Sequence, residues 1–164
     1  MKRRIAREMA IQSLYQMEMN GVNPEQAVEM VMDEAKQEES EISSVHEREA
    51  KAMFDHVVAW VSKTWEERAA IDERLALYLK NWQVDRLSRV DRQILRFAAY
   101  ELMHREDVPP KVAVNEAVVL AKHFGTDESG KFVNGVLGQM LREFEAQGTS
   151  LEQSAKELGQ ESKE

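Results

Sequence analysis

Apolar residues recur three and four positions apart along most of the chain, and no stretch alternates apolar with polar residues long enough to predict a strand. The first predicted helix runs from Lys2 to Asn20. Ile5, Ala6, Met9, Ala10, Leu14 and Met17 fall on one arc of it, Ile11 and Tyr15 continue the stripe, and Arg4 and Arg7 are placed off it. Asn20-Gly21 is a helix stop, and Asn23-Pro24 supplies an N-cap and a first-turn proline for a second helix to Glu38. Residues 39–45 read as an acidic, serine-bearing loop. A third helix covers 46–66, with Met53, Val57, Trp60 and Val61 at helical spacing, and a fourth, close to continuous with it, takes Ile71, Leu75, Tyr78 and Leu79. A turn at 84–87 leads to a fifth helix over 88–105. Val90, Ile94, Leu95, Phe97, Ala98, Ala99 and Leu102 surround much of its circumference, which predicts a central, many-sided position. Pro109-Pro110 opens a sixth helix, 111–124, ending at Gly125. Thr126 or Asp127 caps a seventh, predicted to end at Glu145. The expected architecture is therefore all-α, about seven helices with short connections between antiparallel neighbours. Residues 1–145 form the domain, and 146–164 a polar tail, disordered or loosely helical.

Composition narrows the chemistry. A chain of 164 residues can bury a sufficient core without a disulfide or metal staple. It contains no cysteine, which excludes thiolate metal sites, redox dithiols and cysteine nucleophiles and suits a reducing, cytoplasmic setting. Apolar runs fall short of the roughly 18–20 residues a membrane span needs. Glu8, Gln12 and Gln16 interrupt the apolar stretch a signal peptide would require, so the N-terminus reads as part of the mature fold.

Charge is unevenly placed. The chain has a net charge of −8, yet Lys2, Arg3, Arg4 and Arg7 crowd its first seven residues. Nine acids against two cations fill residues 25–49. Such a protein is not a general polyanion binder, but it suits one local anion-binding patch. The first turn of a helix carries the positive end of its dipole, so cations there are disfavoured by about 0.3–1 kcal/mol each. A bound polyanion would reverse that sign; simple solvation of a basic terminus is the plainer reading.

Five segments carry a further signal: Arg4 to Glu8, Leu14-Tyr15, ILRFAAYEL (Ile94 to Leu102), VPPKVAVNEAVVLAKHFG (Val108 to Gly125) and KFVNGVL (Lys131 to Leu137). In this order and spacing they make the chain resemble the NusB family of bacterial transcription antitermination factors. The resemblance spans most of residues 1–145. It implies two stacked helical bundles, no catalysis and no cofactor. It also implies binding of single-stranded boxA-type leader RNA jointly with the ribosomal protein NusE, within the RNA polymerase antitermination complex of ribosomal RNA operons.

Carried across by motif, the resemblance assigns RNA binding to Lys2, Arg3, Arg4, Arg7, Glu128, Lys131 and Phe132, and contact with the ribosomal protein to Tyr15 and Asp91. Ile5 replaces an arginine common in the family, which lowers the local charge. Phe132 either stacks on a splayed base or packs beside Val133 and Val136. Tyr15 is an interface anchor or an ordinary half-buried tyrosine, and Asp91 a contact or a helix-dipole acid. This reading expects Arg4 and Arg7 to be replaceable with little loss of stability. Asn115 and Asn134 are expected to be buried, and Gly130, Gly135 and Gly138 to mark close helix packing or, near Gly130, close approach of RNA backbone.

Rival functions remain. Glu101 and His104 match one Glu-x-x-His pair of a di-iron bundle, but the second pair is missing, so no metal is expected. Glu101 instead requires a hydrogen-bonding partner such as Asn, Lys or a backbone N–H. A helical adaptor that binds protein without RNA is a second rival. A NusB-like domain of a ribosomal RNA methyltransferase system is a third.

Overall fold

The computed structural model describes residues 3–37, 47–79 and 84–161, so Lys2 and the acidic loop at 39–45 lie outside the described residues. Among the described residues there are seven α-helices and no strand: α1 (Arg3–Asn20), α2 (Pro24–Gln37), α3 (Glu47–Glu66), α4 (Arg68–Ala76), α5 (Arg89–His104), α6 (Pro110–Phe124) and α7 (Asp127–Glu161). A short 3-10 turn, Val84–Arg86, precedes α5.

Local chemistry sets the boundaries. Gly21 takes φ +65° beyond the end of α1, and its N–H donates to the Met17 carbonyl at 3.0 Å. Asn23 and Gln26 form a reciprocal capping box at the start of α2: the Gln26 N–H donates to Asn23 Oδ1 at 2.8 Å, and the Asn23 N–H to Gln26 Oε1 at 3.2 Å. Ser88 caps α5 by accepting from the Asp91 N–H, and Thr126 caps α7 by accepting from the Ser129 N–H. α3 and α4 are separated only by Glu67. Thr64, fully buried, donates its hydroxyl to the Trp60 carbonyl just before the break, a contact that bends helices.

The packing forms two bundles. α1, α2 and α3 pack on one another; α4 to α7 form the second group; α5 joins the two by packing on α1 and α3 as well as on α4, α6 and α7. Residues 93–101 of α5 are buried without interruption, as its apolar circumference predicts. One hydrophobic cluster, from Ile5 through Trp60 and Phe97 to Met140, runs through both groups. Trp60, Phe97 and Tyr100 form an aromatic chain across α3 and α5, with centroids 6.1 and 5.9 Å apart.

Three expectations are corrected. α7 does not stop at Glu145 but continues to Glu161, through Gly148. Asn115 and Asn134 are exposed: they lie on the outward faces of α6 and α7, and the valines nearest Asn115 on its face, Val112 and Val119, are exposed too. The glycines divide. A Cβ on Gly130 would stand 2.7 Å from Lys122 Cγ, whereas Gly135 faces open space, so close packing explains the first and not the second.

Candidate nucleic-acid interface

The cations of α1 meet very different surroundings. Arg3 is exposed. Arg4 is also exposed, with 57% of its side chain open, yet it reaches α6: its Nε and Nη2 donate to the two carboxylate oxygens of Glu116 at 3.0 and 2.9 Å. This hydrogen bond, with the accompanying charge, holds the Glu116 carboxyl below the usual range and the Arg4 guanidinium above its own.

Arg7 is not a surface cation, and the expectation that placed it off the core arc is corrected. It is 3% exposed, and its Nε and Nη2 form the same fork with Glu101, at 2.8 and 3.0 Å. At 100° per residue Arg7 points between Ile11 and Leu14, both buried. Burial works against its charge, but the hydrogen bond and charge of Glu101 outweigh it, so its pKa is raised. Glu101 thus has the partner its burial demands, an arginine rather than the Asn, Lys or backbone N–H anticipated.

Arg105, which no motif in the sequence marks, completes the network. It reaches Glu101 at 3.4 Å and Asp107 at 2.9 Å, and its guanidinium lies 4.3 Å from the Trp60 ring centroid. The hydrogen bond from Arg105 lowers the Asp107 pKa, and the field of Arg3 lowers it further. His104 meets Tyr100 in a tilted ring contact, with centroids 5.9 Å apart. Among the described residues no group of three His, Asp or Glu side chains stands close enough to hold a metal ion.

The depressed Glu116 and Asp107 carboxyls fix a pH dependence. Each binds its proton more weakly folded than unfolded, so its stabilising contribution is complete above the unfolded pKa and is lost as pH falls through the folded one. Urea unfolding is expected to show stability declining below about pH 4.5, the ordinary glutamate value. Glu116→Gln, with no proton to gain there, should show a shallower decline; an equal decline would mean that the Arg4–Glu116 pair is not formed in solution.

The second strip lies at the start of α7. Lys131 and Glu128 are both more than 70% exposed and form a loose pair at 3.6 Å, too open to hold either side chain firmly. Phe132 is half-buried and packs against the core cluster, leaving part of the ring open. Lys122 joins this strip, its aliphatic stem lying across Gly130; the only hint in the sequence is the glycine that makes room for it.

Tyr15 shares a cavity with Val90, the residue before Asp91. Tyr15 is half-buried and, with Ile11, Val31, Val90 and Phe124, lines a cavity of about 230 Å³ between α1, α2, α5 and α6. Asp91 follows Val90 in the first turn of α5, where its charge complements the helix dipole.

Comparison with known proteins places these features in context. A family model described as the NusB family matches residues 4–142. The transcription antitermination protein NusB of Symbiobacterium thermophilum is 43% identical over 142 residues, covering 87% of this chain and 90% of that protein. The protein of the same name from Bacillus subtilis is 40% identical over 145 residues, covering 88% and 98%. Among solved structures, NusB of T. maritima superposes with a TM-score of 0.72 at 33% identity, covering 87% of this chain and 92% of that one. A crystal structure of the antitermination factors NusB and NusE in complex with dsRNA gives a TM-score of 0.69 at 26% identity, covering 87% and 99%.

Proposed function

The chain belongs to the NusB family, and from that membership we propose that it is a transcription antitermination factor that binds boxA-type leader RNA jointly with NusE. The complex then acts with RNA polymerase to carry transcription past termination signals, notably in ribosomal RNA operons. The observation that carries the RNA-binding part is the pair of exposed guanidinium groups, Arg3 and Arg4, on the first turn of α1. Backbone N–H groups without intrahelical partners and the positive end of the dipole lie at the same place. Lys131 at the start of α7 and Lys122 on the facing α6 supply further cations, and the open part of Phe132 offers a ring for stacking. The acidic remainder of the chain discourages indiscriminate binding.

Arg7 contributes by fixing α1 rather than by touching phosphate, because its guanidinium is enclosed with Glu101. That burial also favours the competing reading, an adaptor that binds NusE alone. Titration of boxA-type and scrambled RNA against the chain, with and without NusE, separates the two. The expected result is tighter binding of boxA-type RNA when NusE is present. Arg3→Ala with Arg4→Ala should lower the log–log salt slope by about 0.7 for every phosphate that is no longer neutralised. An unchanged slope in a folded variant would remove these arginines from the interface.

A further inference from the structure

Arg4 and Arg7 make the same kind of contact in opposite settings. Both present Nε and Nη2 to a carboxylate, but the Arg7–Glu101 side chains are 4% and 1% exposed, whereas those of Arg4 and Glu116 are 57% and 18% exposed. The first pair is closed to any ligand. The second is asymmetric. Glu116 stands midway along α6 beside the buried Ala113 and Ala117, with its carboxylate largely covered, while the guanidinium it holds remains open.

A guanidinium carries five N–H donors. Glu116 engages one on Nε and one on Nη2. Of the three that remain, one on Nη1 and the second on Nη2 point together off the end of the planar group, on the edge next to the one Glu116 holds. That edge is itself a fork, spaced to meet two oxygens of a phosphate. We propose that Glu116 is a positioning residue for RNA: it grips one edge of the Arg4 guanidinium and thereby aims the other edge at a backbone phosphate. The inference rests on the RNA-binding reading above and extends it to a residue that carries the wrong charge for contact with RNA.

Two opposing effects decide the sign. The Glu116 carboxylate repels a phosphate held on the neighbouring edge of the guanidinium, within the Debye length of about 8 Å at physiological salt, so the repulsion is only partly screened and is offset by the guanidinium charge that both anions share. Against it stands the freezing of a long, rotamer-rich arginine side chain. Glu116 has already done this in the free protein, so RNA does not have to. The pair is also placed where it matters most, on the second residue of α1, where the helix dipole alone would push a cation away.

A double-mutant cycle measured by fluorescence anisotropy on a short boxA-type RNA, with NusE present, tests this. Glu116→Ala is expected to weaken binding on the order of threefold to tenfold, even though it removes a negative charge beside a polyanion, with a loss of salt slope smaller than the roughly 0.7 of one phosphate contact because Arg4 keeps its charge. Glu116→Gln, which keeps one acceptor oxygen, should lie between. In an Arg4→Ala background Glu116→Ala should weaken binding no further, and affinity for NusE alone should stay unchanged in every variant. Equal or tighter RNA binding by Glu116→Ala in the otherwise unaltered protein would overturn the proposal, because Glu116 would then be a competitor for Arg4. If Arg4→Ala weakens binding and Glu116→Ala does not, the positioning role alone falls. If the unaltered chain ignores RNA even with NusE, both the reading and the inference fall together.

Discussion

Glu101→Ala is expected to lower the free energy of unfolding by about 3–5 kcal/mol, the cost of leaving one member of a buried ion pair without its partner. The site leaves no cheap escape. The Arg7 guanidinium lies in the wall between α1 and α5, 3% exposed, and both of its bonded nitrogens donate to Glu101. Arg105 leans on the same carboxylate from one turn further along. Without that carboxylate, two guanidinium groups share a space that water enters poorly, and Arg7 cannot shed its proton at any ordinary pH. For a chain of this length 1 kcal/mol corresponds to about 2–4 °C, so the melting temperature should fall by roughly 6–20 °C. Arg7→Ala should also be clearly destabilising, though less than Glu101→Ala, because Glu101 loses its shorter partner but keeps Arg105 at 3.4 Å, whereas Arg4→Ala, which removes only an exposed pair, should leave stability nearly unchanged. Thermal unfolding followed by circular dichroism reads all three. The decisive control is the apolar replacement Arg7→Met with Glu101→Leu, which should recover most of the loss, because a buried ion pair is usually no more stabilising than well-packed apolar side chains. If Arg7→Ala proved as mild as Arg4→Ala, the enclosed pair would not exist in solution.

The contrast between Arg4 and Arg7 also shows what can be read from letters alone. Helix boundaries are legible because each is a local event: Gly21 in the left-handed region, the Asn23–Gln26 capping box, Pro110 at the first position of α6, Thr126 at the head of α7. The central place of α5 is legible from its nearly complete apolar circumference. Arg7 is misleading because its charge argues for the surface while its angle, between Ile11 and Leu14, faces inward. The carboxylate that makes its burial tolerable lies 94 residues away. Asn115 and Asn134 mislead in the opposite direction. Apolar neighbours suggest the interior, but parts of α6 and α7 still face outward, where even Val112 and Val119 are open. α7 outruns its expected end because a polar composition says little about where a helix stops when no proline intervenes and Gly148 does not break it. Within the candidate site, the cations of α1 are visible in the sequence and their partners are not. Glu116 and Arg105 enter only through contacts that the fold creates.

Tyr15→Ala is expected to weaken the complex with NusE about thirtyfold, the effect of losing roughly 2 kcal/mol from an aromatic anchor. In the free chain the ring is only partly covered. Tyr15 is half-buried at the edge of a cavity of about 230 Å³ whose walls include Ile11, Val31, Val90 and Phe124, with Gln12, Gln16 and Glu34 also lining it. That combination, an apolar floor carrying an aromatic ring and polar side chains, is how protein interfaces concentrate binding energy. A partner side chain entering the cavity would cover the open part of the ring and of Val90 together. Asp91, next to Val90, stands where a cation of the partner can meet it, so Asp91→Lys should weaken the complex too, at a fold cost of only about 0.3–1 kcal/mol from the α5 dipole. Tyr15→Phe separates area from hydrogen bonding. If the ring acts by burial, the phenylalanine variant should retain affinity within about threefold, which is under 1 kcal/mol. Isothermal titration calorimetry of NusE into each folded variant makes the measurement, with RNA absent so that the α1 cations play no part. Full affinity in Tyr15→Ala would move the partner's footprint off this cavity. A loss in Tyr15→Phe as deep as in Tyr15→Ala would leave the ring irrelevant and the phenolic hydroxyl as the contact.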